Sequence, residues 1–363
     1  MHWMKVWNGG RNVLFRRGNC GPSPLRLPRH SSAQTSPFFT WRPTFLADQE
    51  SPADQPISLR SLLYRAILAA ERGGQEVISV QNSGHLATRS KSICFNPVTL
   101  GDIRSHVAIK GTLRQAFPSL TIISEEDELR LDSDADYLDG RKFYEEVPAW
   151  LTETVPVDEV VRSGDVAVWI DPLDGTKEFT AGLYECVTVL VGIAVKGRPV
   201  AGVIHCPFPE GRTYWAWEGK GVCSHLKHVH TKDSCPNDVL RIAVSKNPMN
   251  AGEVQHFAEK AFHGRSFELV PMGGAGYKIV QVCTGAVDGY LHITRNIKKW
   301  DICAGHGLVS AMGGRLQGLC GQSVDYTAPV DMKEDVAVRT GFLCTMHDDA
   351  GLFDGCRSAV LGI

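Results

Sequence analysis

Five apolar residues, Val166-Ala167-Val168-Trp169-Ile170, run without a break into Asp171-Pro172-Leu173-Asp174-Gly175-Thr176. A short apolar run bounded by turn residues reads as a buried strand. Pro172 fixes a turn behind that strand, so Asp171 and Asp174 face one site with the Leu173 carbonyl between them. Gly175-Thr176 then opens a helix, whose free N–H groups suit a phosphate oxygen. A strand, a turn and an Asp-capped helix are also common scaffolding, so this step alone leaves a structural and a functional reading open.

The rest of the chain repeats the alternation. Leu59, Leu62, Leu63, Ala66, Ile67 and Ala70 recur at helical spacing and predict a helix over 58–77 capped by Ser58, with Gly73-Gly74 a weak point inside it. A second helix is predicted from Asp102 to the residue before Pro118. Strands are expected over 120–123, 166–170 and 187–195, with a hairpin pairing 200–205 and 213–218, and another strand over 240–244. Helical spacing over 278–284 and 302–312 brackets a strand over 290–293. Strands and helices interleave in both halves, so the fold class is α/β or α+β with mixed sheets, and no fixed-period repeat is visible.

Charge and cysteine usage exclude several functions. The formal net charge is −2, so no overall basic field exists for nucleic acid. That sum hides two unlike segments. Residues 1–46 carry only basic charges, from Lys5 to Arg42, and read as a disordered leader or a mitochondrial transit peptide, although Pro22, Pro24, Pro28 and Pro37 oppose the helix a transit peptide needs. Residues 125–159 are strongly acidic and read mostly as a solvated insertion. The longest apolar run, 187–195, is too short to span a membrane, so no membrane anchor is visible. The eleven cysteines are odd in number and contain no C-x-x-C pair, which fits neither a disulfide framework nor a zinc ribbon. Cys223, His225, His228, His230 and Cys235 have soft-ligand chemistry but read as a surface loop rather than a zinc site. Gly273-Gly274-Ala275-Gly276 lacks the acidic residue that a dinucleotide loop requires downstream. Tyr214-Trp215-Ala216-Trp217 reads as packing on a sheet face. The domain expectation is a leader over 1–56, a catalytic unit over 57–350 whose halves meet near 235–238, and a tail over 351–363.

The informative acids are those at element ends: Glu125 after Ile122-Ile123-Ser124, Asp171 and Asp174 after Ile170, Asp301 after Trp300, and Asp102 after Gly101. Ligands collect at the ends of sheet strands in α/β folds. Converging carboxylates raise one another's pKa unless a cation holds them, and hard oxygen donors suit magnesium completed by a substrate phosphate.

Asp171 to Thr176, Glu125-Glu126-Asp127 and Trp300-Asp301-Ile302-Cys303-Ala304-Gly305 together resemble the lithium-sensitive, magnesium-dependent phosphatase superfamily, which includes inositol monophosphatases, fructose-1,6-bisphosphatases and 3′(2′),5′-bisphosphate nucleotidases. The resemblance spans roughly 58–344. It implies a layered αβαβα sandwich with mixed sheets and a phosphomonoesterase acting on a small phosphorylated substrate with two or three Mg2+ ions. It also implies Glu125, Asp171, Asp174 and Asp301 as side-chain metal ligands, with Leu173 contributing its carbonyl. Asp102 and Thr176 would orient and deprotonate the attacking water, and Gly175, Thr176, Ser245, Gly274 and Lys278 would meet the substrate. A homodimer is compatible with it.

Lys177-Glu178-Phe179-Thr180, the 273–278 run and Ile297-Lys298-Lys299 are similar to the nucleotidase branch, including its Golgi-resident members. That likeness implies hydrolysis of the 3′-phosphate of 3′-phosphoadenosine 5′-phosphate in the Golgi lumen. The alternatives are an inositol monophosphate phosphatase or a non-catalytic phospholigand binder, and a mitochondrial or soluble cytoplasmic location. Two departures bear on substrate choice and on a third metal. Ser245-Lys246-Asn247-Pro248 stands where nucleotidases have Ser-Arg-Ser-His, and the loop over 91–99 is short and lacks an acid.

Overall fold

The computed structural model describes residues 55–90, 97–127, 146–227, 239–246, 251–330, 336–346 and 350–362. All of these lie in the larger of the two units into which the chain divides, residues 50–363. The leader up to Asp54, most of the acidic insertion, and the loop over 91–96 fall outside the described residues.

The first half contains β1 (Pro56–Ser58), α1 (Leu59–Ser83), β2 (Arg89–Ser90), β3 (Pro97–Val98), α2 (Leu100–Ala116) and β4 (Thr121–Ser124). It continues through α3 (Ala149–Thr154), β5 (Val160–Arg162), β6 (Val166–Asp174), α4 (Thr176–Thr180), β7 (Thr188–Val195), β8 (Arg198–Cys206), β9 (Arg212–Trp217) and β10 (Gly221–Val222). The second half contains β11 (Leu240–Ser245), α5 (Ala251–Ala261), β12 (Phe267–Met272), α6 (Ala275–Cys283), β13 (Gly289–His292), α7 (Lys299–Ala311), β14 (Arg315–Gly318), β15 (Phe342–Thr345) and α8 (Ala350–Leu361).

Two sheets organise these elements. The larger runs β10-β9-β8-β7-β6-β4 and is antiparallel except for the parallel pair β4 and β6. The smaller runs β12-β11-β13-β15-β14, with β11 parallel to both β12 and β13. Side-chain alternation on the smaller sheet assigns its faces. Ile242, Val244, Leu291 and Leu343 pack with α5 and α8, while Ala243, Tyr290, Phe342 and Cys344 join the main core with α6 and α7. Helices α1 and α2 cover the other face of the larger sheet. The layers are therefore α, β, α, β, α, with mixed sheets as the sequence implied. Segment 351–363, expected as a tail, instead supplies α8, whose Leu352, Phe353 and Cys356 are buried in the outer layer.

Glycines set the layer spacing. Helix α1 runs through Gly73-Gly74 as expected and continues past Val77 to Ser83. A Cβ on Gly73 would stand 2.6 Å from Ser105 Oγ, and one on Gly74 would enter the His205 ring, so the pair lets α1 close on α2 and β8. The buried face of α7 uses the same device. A Cβ on Gly192 would lie 2.6 Å from the Ala304 amide nitrogen, one on Gly307 2.6 Å from the Ala201 carbonyl carbon, and one on Gly202 would collide with the Ala304 carbonyl. The aromatic run Tyr214 to Trp217 packs on the sheet, as expected, and is buried throughout.

Backbone contacts of this kind cannot be relieved by a rotamer change. Gly202→Ala is expected to cost about 2 kcal/mol by overpacking. Because it pushes α7 outward, it should also weaken cation binding at Asp301. A thermal melt combined with a Mg2+ titration checks both effects.

Candidate active site

Strands β4 and β6 run parallel, so their carboxyl ends finish side by side. The Glu125 amide donates to the Ile170 carbonyl at 3.1 Å, which fixes Glu125 beside Asp171. Asp301 arrives from the far layer in the first turn of α7, where its Oδ2 accepts the Lys298 amide at 2.7 Å. One oxygen each from Glu125, Asp171 and Asp301 lies within 4.8 Å of the others. Burial drives the Asp171 carboxyl well above its usual range, and the charges of Glu125, Asp174 and Asp301 add to that. Asp301 is raised in the same way, first by burial and then by Glu125. A set of hard oxygens that resists ionising together is the donor chemistry a divalent cation satisfies.

Asp102 sits behind this group. Thr99 caps α2, and Asp102 closes a capping box by accepting the Thr99 amide at 2.7 Å and the Thr99 hydroxyl at 2.6 Å on Oδ2. Its Oδ1 accepts the Thr176 hydroxyl at 2.9 Å. That hydroxyl also stands 3.0 Å from the Leu173 carbonyl, so its single proton is shared between two acceptors. Burial raises the Asp102 carboxyl to about 6, against the lowering effect of the Thr99 hydrogen bonds. Ser105 donates to the Pro172 carbonyl at 2.6 Å and pins the turn from below. The sequence reading did not single out Thr99; the T-x-x-D spacing of a capping box was the available signal. The helix expected from Asp102 starts two residues earlier, at Leu100.

Asp174 lines the same cleft as Glu125, Asp171 and Asp301, and it also ties the turn after β6 to the second half of the chain. Its Oδ1 accepts the Ala275 amide at 2.9 Å, and its Oδ2 accepts the Gly276 amide at 2.7 Å and the Thr188 hydroxyl at 2.8 Å. The carboxylate therefore anchors the N-terminus of α6, while its charge still acts on Asp171 and Asp301. Burial raises its pKa and the Lys278 charge opposes the rise. Gly274 carries φ +57°, and a Cβ there would sit 3.0 Å from Asp174 Oδ2, so the glycine run serves this close approach.

Lys278 is 4% exposed. Its ammonium donates to the Gly274 carbonyl and lies 4.9 Å from the centre of the Tyr290 ring. Burial lowers its pKa, and Asp174 and Glu178 counter that effect. Beyond Tyr290, His292 is pushed down to about 4 by burial, which keeps the imidazole neutral near pH 7.

These residues open on one cleft of about 960 Å3. Glu125, Asp171, Leu173, Asp174 and Asp301 line it, as do Gly175, Thr176, Ser245, Gly274 and Lys278. Among the expected residues only Asp102 is set back, behind Thr176. Helix α4 after Gly175 has five residues, a shorter element than the helix that the motif suggested. Asn247 and Pro248 lie outside the described residues, as do His228, His230 and Cys235 of the weighed zinc reading. Among the described residues, Glu125, Asp171 and Asp301 form the one group of side chains suited to a metal.

With this geometry in hand, comparison with known proteins is decisive. The sequence model described as "Inositol monophosphatase family" matches residues 58–341. The chain belongs to that family. It is 36% identical over 281 residues to the Homo sapiens Golgi-resident adenosine 3′,5′-bisphosphate 3′-phosphatase, covering 75% of this chain and 74% of that protein. It is 34% identical over 281 residues to inositol monophosphatase 3 of Danio rerio, covering 75% and 78%. The solved extragenic suppressor protein suhB of Bartonella henselae shares the fold, with a TM-score of 0.61 at 18% identity over 84% of this chain and all of that one. The protein is accordingly a phosphoric monoester hydrolase of a family that is generally magnesium-dependent. No helix among the described residues is long and apolar enough to cross a membrane.

The raised carboxylates give a sign-defined test. A carboxyl whose folded pKa lies above its unfolded value stabilises the fold below the unfolded value of 3.8, and that contribution is lost as pH rises through the folded pKa. In EDTA, the melting temperature is expected to fall as pH rises from 5 to 8. Added Mg2+ should restore it most at the alkaline end, by mass action on the folded state. A Mg2+ effect equal at both pH values would count against a cation at these carboxylates.

Proposed function

We propose that the protein hydrolyses the 3′-phosphate of 3′-phosphoadenosine 5′-phosphate, releasing AMP and phosphate. The observation that carries this reading is Lys278. It is a buried ammonium on the cleft wall, close enough to Asp174, Glu178 and Asp301 to feel their charges. A monophosphate would have its charge offset by the cation that the three carboxylates hold, whereas an additional buried ammonium suits a second phosphate. The Golgi phosphatase at 36% identity, named for an adenosine 3′,5′-bisphosphate, supports the same substrate.

Glu125, Asp171 and Asp301 would hold Mg2+, with the Leu173 carbonyl facing the same cleft. Magnesium bound there supplies positive charge that makes water more acidic and offsets charge on the phosphoryl oxygens. Asp102 keeps Thr176 oriented, and in its ionised form it takes a proton that the Thr176 hydroxyl passes on from the attacking water. Asp174 holds the α6 N-terminus, and with it Gly274, against the scissile ester, so positioning dominates catalysis. We take the catalytic unit to run from residue 57 through α8. We also assign it to the Golgi lumen on the strength of its relatives, to be checked by imaging the tagged full-length chain.

Phosphate release with Mg2+ on 3′-phosphoadenosine 5′-phosphate and on inositol 1-phosphate tests the reading. Higher kcat/KM on the nucleotide is expected. Preference for the inositol ester would replace the substrate, and no turnover of either would reduce the chain to a phospholigand binder.

Asp102→Asn should lower kcat about 10²- to 10³-fold without loss of fold. Because Asp102 acts ionised and burial raises it to about 6, wild-type activity should rise with pH through that region. Steady-state rates from pH 5 to 8, with circular dichroism of the variant, check both expectations.

A further inference from the structure

We infer that Glu178 is a specificity-determining residue, accepting a hydrogen bond from the substrate hydroxyl vicinal to the scissile phosphate ester. The inference deepens the nucleotide reading above and rests on it.

Glu178 lies on α4, two residues beyond Thr176, and its side chain lines the cleft. It reaches across to the second half of the chain, where a Cβ on Gly273 would stand 2.5 Å from the Glu178 carboxyl carbon. On its other side, Glu178 Oε2 would stand 3.6 Å from a Cβ on Gly175. The missing side chain of Gly273 thus makes room for Glu178, and Gly274 admits Asp174 in the same way, so two carboxylates lie against this backbone on the cleft wall.

The two carboxylates are not equivalent acceptors. Both oxygens of Asp174 are taken by Ala275, Gly276 and Thr188. The Glu178 carboxylate makes no hydrogen bond or ion pair with any described residue, though it lies near enough to Lys278 to favour its charged form. A carboxylate with free lone pairs on a cleft wall repels a phosphate and attracts a hydroxyl proton. The second phosphate therefore belongs with Lys278, and the neutral hydroxyl next to the scissile ester belongs with Glu178. In a ribonucleoside 3′-phosphate that group is the 2′-hydroxyl.

The test compares adenosine 3′,5′-bisphosphate with its 2′-deoxy analogue, both with Mg2+, in wild type, Glu178→Gln and Glu178→Ala. A hydrogen bond to a charged acceptor implies that wild type favours the ribonucleotide in kcat/KM by roughly 10- to 100-fold. That ratio should fall within about threefold of unity in Glu178→Ala and be intermediate in Glu178→Gln. A variant that is merely less stable slows both substrates alike and leaves the ratio where it was. Wild type indifferent to the 2′-hydroxyl, or a preference that survives in Glu178→Ala, overturns the assignment. Turnover of inositol 1-phosphate with neither nucleotide overturns the nucleotide reading instead, and the same ratio on inositol 1-phosphate against its 2-deoxy analogue then decides on Glu178.

Discussion

Mutual repulsion among Glu125, Asp171 and Asp301 is the constraint around which this molecule is built. Three carboxyl oxygens within 4.8 Å, two of them on groups that burial drives strongly towards the neutral form, are unfavourable without a cation. A flexible chain would move them apart. Here each is held by an element that cannot yield. Glu125 is fixed by its amide bond to Ile170, and Asp171 by a turn pinned through Ser105. Asp301 is fixed by a helix pressed on the sheet at Gly192, Gly202 and Gly307. The stability gained in the core is spent on holding charges where a metal ion and a phosphate can use them, as catalytic preorganisation requires.

The same physics explains which features were legible in the sequence. Apolar runs ending in acids are local signals, so β4, β6 and the start of α7 could be read directly, together with Glu125, Asp171 and Asp301. The capping box of Thr99 and Asp102 was also written locally, in a T-x-x-D spacing, but it was read as a helix starting at an acid. The Gly73-Gly74 pair reads as a weak point because its purpose is tertiary: the glycines weaken α1 alone and are needed only once α2 and β8 are pressed against it. Helix α8 was missed for a related reason. Its buried Leu352, Phe353 and Cys356 give a weak period by themselves and acquire meaning from the α5 face they cover. Strand β12, with mixed exposure along Phe267–Met272, carries no alternation to detect.

Asp174 has a tertiary role that its motif does not announce. Its neighbours in sequence suggest a ligand equivalent to Asp171, three residues earlier. Yet the register between β6 and β7 shifts between Asp171 and Asp174, and that irregularity brings Asp174 beside Thr188 and turns it towards α6. Two backbone amides at a helix N-terminus and one hydroxyl hold the carboxylate in place and leave an acceptor site on Oδ1. No sequence pattern within 171–176 encodes those amides, because they lie about a hundred residues downstream.

That anchoring couples the two halves of the chain at the one place where chemistry needs them coupled. The turn that carries Asp174 also carries Thr176, and the helix whose amides it accepts begins directly after Gly273 and Gly274 and carries Lys278. The hydroxyl that meets Asp102 and the ammonium on the far cleft wall are therefore registered through one carboxylate. A cation that drew Asp174 away would have to replace three hydrogen bonds and would loosen α6 from the turn. Its fit therefore depends on the charge it neutralises at Glu125, Asp171 and Asp301 exceeding that loss. Charge, rather than the size of the cleft, sets how the substrate half and the metal half are held together.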